Sequence, residues 1–262
     1  NLVKAAFPPP LPAIRHVVIN SVQAQQLASR TGLTSRVIPN VMDFDTPPPP
    51  LDDWGRAARA DLGVRPDEVL VLQPTRIVQR KGIEHAIELT ARLGVPAALV
   101  ISHASGDEGD EYEQRVREYA ALLGVHVRFE AEQVNATRGL TADGRRRYVL
   151  ADVYPHADLV TYGSSIEGFG NAFLEAVYHR RPLVVNRYSI YELDIKPRGF
   201  QVVEFDGYIR AATVASARRL LEEPELAEAW AERNYELARR HFSFAVLERR
   251  LDALLHECFG ED

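Results

Sequence analysis

From Trp54 onwards, short continuous apolar runs alternate with longer segments in which apolar residues recur every three or four positions. The apolar runs predict strands at 69–73, 97–102, 126–129, 159–162, 183–186 and 201–204. The periodic segments predict helices at 83–93, 111–123, 147–154 and 171–179. Apolar strands that alternate with amphipathic helices are typical of a parallel sheet covered on both faces. We therefore predict an α/β protein with a Rossmann-like, doubly wound parallel sheet, whose ligands bind beyond the carboxyl ends of the strands.

The two ends of the chain depart from this alternation. Residues 16–39 predict a single β-α-β unit, with Ser21 as the helix N-cap and Gly32 as its stop. One such unit cannot bury both faces of its sheet, so it is expected to be the tail of another domain. Four prolines at 47–50 predict a stiff boundary. After Gly207 the pattern is helical, at 208–222, 224–241 and 243–259, and a polar segment at 131–146 predicts a long loop.

We accordingly divide the chain into four parts. Residues 1–45 form the tail of a preceding domain, 46–53 a proline-rich linker, 54–241 the main Rossmann-like domain and 242–262 a C-terminal helix. That helix carries an apolar stripe at Phe244, Leu247 and Leu251, which needs a partner surface.

Composition restricts the possible functions. Of 262 residues, 46% are apolar and 26% charged, as in soluble globular proteins. The net charge of −6 argues against a nucleic-acid-binding surface. A single cysteine, Cys258, excludes an internal disulfide and a cysteine-based zinc site. No apolar run reaches bilayer-spanning length and no signal peptide is evident, so we expect a cytoplasmic protein without membrane contact.

A glycine-rich turn follows the predicted strand at 159–162. Gly168 and Gly170 allow the backbone to approach a ligand, and the helix predicted from Asn171 presents free N–H groups that favour an anion. Glu167 and Glu175 flank this turn. Two carboxylates beside an anion site suit a phosphate ester that carries hydroxyl groups, such as a ribose or a sugar. The simpler interpretation is an ordinary strand–turn–helix with two solvated glutamates.

A basic loop follows the predicted strand at 69–73. Arg76 can grip phosphate oxygens with two N–H groups, and Lys81 adds a mobile point charge. Arg80 is expected to be the solvated member of this loop. Because the carboxyl ends of parallel strands share one edge of a sheet, we expect the basic loop and the acidic turn to line one cleft.

Other chemistries have weaker support. The chain has no P-loop motif, no nucleophile elbow and no His-x-x-x-His spacing, and its Gly-x-Gly lacks the third glycine of the dinucleotide fingerprint. Asp43 and Asp45 stand before the prolines and are expected to form a turn, without a metal. His103 follows a predicted strand, and we favour a surface-loop position over one in the cleft.

The paired motifs resemble those of glycosyltransferase family 4, enzymes of the two-domain GT-B fold. The resemblance rests on Arg76 and Lys81 before Gly82, on Glu167-x7-Glu175 with its Gly-Phe-Gly-Asn, and on Pro39-Asn40-Val41 at the domain junction. It implies that the chain is chiefly the C-terminal, donor-binding half of such an enzyme. It also implies transfer of a hexose from a nucleotide-sugar with retention, without a cofactor or a metal ion.

The resemblance assigns a role to each site residue. Arg76 and Lys81 would hold the donor diphosphate, Glu175 the ribose hydroxyls and Glu167 the transferred sugar. Glu167, Arg76 and Lys81 would therefore be the catalytic group. The backbone around the turn would contact sugar and phosphate, through Gly168, Phe169, Gly170 and Asn171. The donor would be a UDP-, GDP- or ADP-hexose and the acceptor is not specified.

The chain departs from the family at Pro39-Asn40-Val41, where the family's glycine is missing, and more extensively in its first half. Only the last β-α-β unit of the first, acceptor-binding half is present, so we expect a chain that holds the donor site and has little activity alone. The apolar stripe of the last helix would then lack its usual partner and favour self-association. Two alternatives stay open, a non-catalytic nucleotide-sugar-binding module and a nucleotide-sugar 2-epimerase, for which His103 is the candidate acid/base group.

Overall fold

The main sheet determines the architecture. A computed structural model of the chain describes residues 11, 13–105 and 111–260, and predictions for the remaining residues, such as the N-terminal lead-in, lie outside this part. The strands are β1 (Val17–Val18), β2 (Arg36–Val37), β3 (Val69–Gln73), β4 (Ala97–Ile101), β5 (His126–Phe129), β6 (Gly139–Leu140), β7 (Arg146–Arg147), β8 (Leu159–Tyr162), β9 (Leu183–Asn186) and β10 (Val203–Phe205). Six of them form a parallel sheet in the order β10-β9-β8-β3-β4-β5.

Helices cover both faces of this sheet. They are α1 (Ser21–Thr31), α2 (Asp53–Arg56), α3 (Ala58–Asp61), α4 (Ile83–Arg92), α5 (Glu111–Leu122), α6 (Leu150–Val153), α7 (Asn171–Tyr178), α8 (Ala211–Glu222), α9 (Pro224–Phe242) and α10 (Phe244–Phe259). Successive strand residues point to opposite faces. Leu70 and Leu72 therefore pack into the core that includes α7 and α9, whereas Val71 packs into the core with α4 and α8. The doubly wound α/β fold is confirmed.

Side-chain hydrogen bonds explain where elements differ from the predicted bounds. The last strand begins at Val203, two residues later than predicted. Its predicted first residue, Gln201, exchanges two 2.7 Å bonds with the Asn234 side chain, so its backbone serves α9 instead of the sheet. Likewise Asn20, one residue before the predicted cap, caps α1 by accepting from Gln23 N at 2.7 Å.

The polar segment at 131–146 contributes to a hairpin instead of forming an irregular loop. Strands β6 and β7 pair antiparallel. Arg138 fastens the hairpin to the main domain, because its guanidinium bonds Asp52 at 2.7 Å and Asp152 at 3.0 Å. The segment is therefore tied at a point close to the proline-rich linker.

The predicted N-terminal β-α-β unit forms its own two-stranded parallel sheet, β1 with β2. The chain then runs beside the end of α9, where Met42 N donates to Phe242 O at 2.9 Å and Tyr235 Oη donates to Phe44 O at 2.9 Å. Helix α10 returns to the unit, and the Arg250 guanidinium donates to Val37 O. The predicted domain bounds remain a prediction.

The apolar stripe on α10 is largely uncovered. Phe244, Leu251, Leu255 and Phe259 are exposed. Self-association through this stripe remains a prediction. Within residues 13–105 and 111–260, no helix combines the length and apolar character needed to cross a bilayer.

Candidate functional site

The basic loop and the acidic turn meet in one cleft beyond the carboxyl ends of β3 and β8. The cleft has a volume of about 520 Å³. Every residue singled out in the two motifs lines it, namely Arg76, Lys81, Glu167, Gly168, Phe169, Gly170, Asn171 and Glu175. Strands β3 and β8 are direct neighbours in the sheet, which places the two strand ends side by side.

Glu167 lies between two cations. The Lys81 ammonium bonds its Oε1, and the Arg80 guanidinium stands 3.7 Å from its Oε2. Lys81 Nζ also lies 5.8 Å from the centre of the Tyr162 ring. The expectation that Arg80 is a solvated bystander is wrong, because its side chain turns into the cleft beside Glu167.

Two glycines bring the basic loop against the acidic one. Gly82 has φ +59°, and a Cβ placed on it would lie 2.4 Å from the carbonyl oxygen of Gly163. A Cβ on Gly163 would lie 2.5 Å from the Gly82 oxygen. The two backbones touch directly, so any side chain at either position would push Lys81 away from the turn that carries Glu167.

The turn before α7 has a backbone conformation that glycine permits and a tyrosine hydroxyl supports. Gly170 has φ +126°, and the Tyr188 hydroxyl donates to Phe169 O at 2.9 Å. Helix α7 begins at Asn171 without a side-chain cap, so its first N–H groups remain available to an anion in the cleft. Asn40, from the segment that follows β2, donates to Asn171 Oδ1 at 2.6 Å.

Glu175 lies deeper in the cleft on α7. Burial raises the pKa of its carboxyl, and a hydrogen bond from the Tyr154 hydroxyl at 3.0 Å opposes that shift. The ring of Tyr154 stacks on His179 with centroids 5.0 Å apart, which holds the Tyr154 hydroxyl in position beside Glu175. Glu175 is therefore a partly desolvated acceptor, suited to ligand hydroxyl groups.

Arg76 and His103 also line the cleft. The Arg76 guanidinium is exposed, and no hydrogen bond or ion pair joins it to the part of the chain that is described. His103 lines the cleft instead of standing on the outer surface, with Nδ1 2.7 Å from Ser102 Oγ. Burial and the charges of Arg76 and Lys81 lower its pKa, so the imidazole is neutral at pH 7. Arg76 and Lys81 thus place two positive charges near this imidazole.

Comparison with known proteins agrees with this geometry. Residues 56–237 match the family described as glycosyl transferases group 1. The chain belongs to this family. Solved structures with the same fold include a glycosyltransferase from Rickettsia africae ESF-5, with a TM-score of 0.78 and 15% identity over 100% of this chain and 68% of that one. Another is Anabaena Alr3699/HepE in complex with UDP and glucose, with a TM-score of 0.74 and 16% identity over 92% of this chain and 62% of that one.

Two curated relatives of this group 1 glycosyltransferase are more similar in sequence. The mannosylglucosylglycerate synthase of Thermotoga maritima is 32% identical over 96% of this chain and 62% of its own length. The protein of the same name from Petrotoga mobilis is 32% identical over 78% of this chain and 50% of its own length. The chain thus spans less than two thirds of the length of these two relatives.

Sequence reasoning missed the tyrosines that support the site. Tyr154 donates a hydrogen bond to Glu175, and Tyr188 donates one to the turn at Phe169 O. The Tyr162 ring lies next to the Lys81 ammonium. Tyr162 ends a predicted strand, which is a signal that it lies near the ligand. Tyr154 and Tyr188 lie far from the motifs along the chain, so the sequence does not indicate that they are near the ligand.

We expect Glu175→Gln to stabilise the fold while weakening nucleotide binding. A carboxyl whose pKa is raised by folding favours the native state below its unfolded pKa and loses that contribution as pH rises through the folded pKa. At pH 7 the buried charge therefore costs stability, and the neutral amide removes that cost while still accepting from Tyr154. Chemical denaturation at pH 7 and at pH 4 measures the gain, which should shrink at the lower pH.

The control for this prediction is Glu222→Gln, on the exposed end of α8. It should change the free energy of unfolding by less than about 0.5 kcal/mol at either pH. A Glu175→Gln protein that is less stable than the parent at pH 7 would contradict the expectation.

Proposed function

We propose that this group 1 glycosyltransferase holds the donor in transfer of a mannosyl group from a nucleoside-diphosphate sugar to glucosylglycerate, with retention. The observation that carries the proposal is the juxtaposition, in one cleft, of Arg76 and Lys81 with Glu167 and Glu175. The names of the two curated relatives support the sugar and the acceptor.

The phosphates and hydroxyl groups of such a donor match different side chains of the cleft. The diphosphate would lie between Arg76, Lys81 and the start of α7, where guanidinium, ammonium and free N–H groups converge. The ribose hydroxyls would donate to Glu175 and the sugar hydroxyls to Glu167. Each polar group of the ligand then meets a complementary partner.

A second cavity extends the cleft to the size of a nucleotide-sugar. It has a volume of about 520 Å³ and shares His103 and Leu150 with the first. Its remaining lining is mostly apolar, formed by Ala104, Ala131, Val134, Asn135, Ala136 and Val149. A flat, largely apolar nucleobase fits such a wall, so we place the base of the donor there.

The chemistry follows from the charges. The bond between the anomeric carbon and the diphosphate oxygen breaks, and its electron pair goes to the diphosphate. An acceptor hydroxyl oxygen forms the new bond to the anomeric carbon, and its proton passes to the leaving diphosphate. Arg76, Lys81 and the helix start stabilise the charge that develops there, which makes a metal ion unnecessary in this proposal.

Calorimetric titration tests the donor site. The chain is titrated with UDP, GDP and ADP and with their mannose and glucose conjugates. We expect one base to bind, with the mannose conjugate favoured over the glucose conjugate. Arg76→Ala should weaken binding by at least about tenfold, whereas Arg30→Ala, an exposed position on α1, should leave it unchanged. Absence of binding to every nucleotide would refute the proposal.

His103 keeps the 2-epimerase as a second candidate, because its neutral imidazole lines the cleft. Incubation with the donor alone separates the two reactions. An epimerised donor without acceptor would favour the epimerase, and product that requires glucosylglycerate favours transfer. Donor binding with neither product is the result expected both of a donor half that acts with another part of the enzyme and of a non-catalytic binding module.

A further inference from the structure

Glu167 has more positive charge around it than a single ion pair requires. Lys81 bonds Oε1, and Arg80 Nη1 lies 3.7 Å from Oε2, so each carboxylate oxygen faces its own cation. The Glu167 side chain is only 10% exposed and that of Lys81 only 12%, whereas the Arg80 side chain is 35% exposed. The nearer, more buried cation is thus the lysine that the proposed function assigns to the diphosphate.

Lys81 cannot bond Glu167 and the donor phosphates fully at the same time. When its ammonium turns to the donor phosphates, Glu167 loses its closest counter-charge while remaining shielded from water. Removing one partner of a buried ion pair is costly, because the other charge stays desolvated. The Tyr162 hydroxyl also hydrogen-bonds Glu167, but a tyrosine never carries a positive charge and so cannot replace the ammonium.

We propose that Arg80 is a positioning residue that neutralises Glu167 and so releases Lys81 to the donor diphosphate. The inference rests on the proposed function, since it presumes that Lys81 binds phosphate. In this arrangement Arg80 raises donor affinity through Lys81, without touching the donor. Without Arg80, Lys81 is the sole cation bonded to Glu167, and the donor must break that pair before it can bind.

The backbone of Arg80 is independent of this role. Its carbonyl oxygen accepts from Ser165 N at 2.9 Å, which joins the basic loop to the acidic turn whatever the side chain. Substitutions of the guanidinium therefore leave the loop-to-turn connection in place. An unchanged melting temperature in the Arg80 variants would show that any change in donor affinity does not arise from loss of the fold.

A double-mutant cycle tests the inference. Arg80→Ala, Arg80→Lys and Glu167→Gln are titrated calorimetrically with UDP, GDP and ADP, alone and in combination, using the same chain. Arg80→Ala should weaken binding of the preferred nucleotide by on the order of tenfold, about 1.4 kcal/mol. Arg80→Lys should recover most of the loss. In the Glu167→Gln background, where Lys81 is no longer held by a charge, Arg80→Ala should have little effect.

The outcomes separate this inference from the proposed function. An equal loss from Arg80→Ala in both backgrounds would mean a direct donor contact and would overturn the positioning role. Unchanged binding in Arg80→Ala, with binding weakened in Arg76→Ala, would also overturn it while leaving the proposed function intact. No binding by the parent chain would remove both. Arg80→Gln, which keeps much of the side-chain length, replaces Arg80→Ala if the latter does not fold.

Discussion

Arg76→Ala and Lys81→Ala are each expected to lower turnover by about 10²–10³-fold. This is the effect of losing one preorganised hydrogen-bond donor to the charge that develops on the leaving diphosphate. The two losses should differ in kind. Arg76 has no competing partner in the described part of the chain, so its whole charge is available to the ligand and donor affinity should fall as well. Lys81 must first break its ion pair with Glu167, and the cost of breaking that pair reduces the donor affinity that Lys81 contributes.

Transfer of mannose to glucosylglycerate at saturating donor measures the turnover, and calorimetry measures affinity separately. Arg76→Lys is the matched variant, because it keeps the positive charge and loses the bidentate hydrogen bonding of the guanidinium. It should recover only part of the activity that Arg76→Ala loses. Arg30→Ala serves as the inert control. Full turnover by either alanine variant at saturating donor would exclude its residue from the diphosphate site.

Gly82→Ala is expected to destabilise the fold by about 2–5 kcal/mol and to abolish nucleotide binding. About 1–2 kcal/mol arises from a left-handed backbone with a Cβ, and about 1–3 kcal/mol from overpacking. The methyl group would stand 2.4 Å from the Gly163 carbonyl oxygen. That oxygen belongs to the backbone, so no side-chain rotation relieves the contact.

Gly32→Ala separates the two contributions. Gly32 has a similar left-handed conformation, φ +73°, and its Cβ would meet no atom within 4 Å. Only the conformational cost of about 1–2 kcal/mol is then expected, with nucleotide binding unchanged. Chemical denaturation of both variants gives the comparison, and equal losses would show that the contact between Gly82 and Gly163 contributes nothing.

The fold was predictable because its central strands are buried on both faces. Strands β3, β8 and β9 have the predicted bounds, since continuous apolar runs end where the chain leaves the core. The predicted strand bounds were wrong where a polar side chain hydrogen-bonds the backbone. Asn234 does so at Gln201. The two residues are far apart along the chain, so the local sequence pattern does not indicate this contact.

The candidate site was predictable at the level of motifs. Residue type and spacing led to Arg76, Lys81, Glu167 and Glu175, and the shared sheet edge led to their convergence. The partners of these residues were not predictable, since they depend on side-chain direction. Arg80 illustrates this: nothing in a run of basic residues tells which member turns toward a carboxylate 87 positions later.

The neighbouring positions of β3 and β8 affect how the site comes into being during folding. Val71 pairs with Leu99 on one side and with Leu159 on the other, so the two edges of β3 close loops of very different length. The longer loop carries an extra closure entropy of about 1 kcal/mol, so the β3–β4 pairing is favoured to form first. Lys81 lies within the longer loop and Glu167 follows it, so the pairing of β3 with β8 brings the two residues together. Nucleotide affinity should therefore return only once β3 and β8 have paired, which makes ligand binding a kinetic reporter of that pairing.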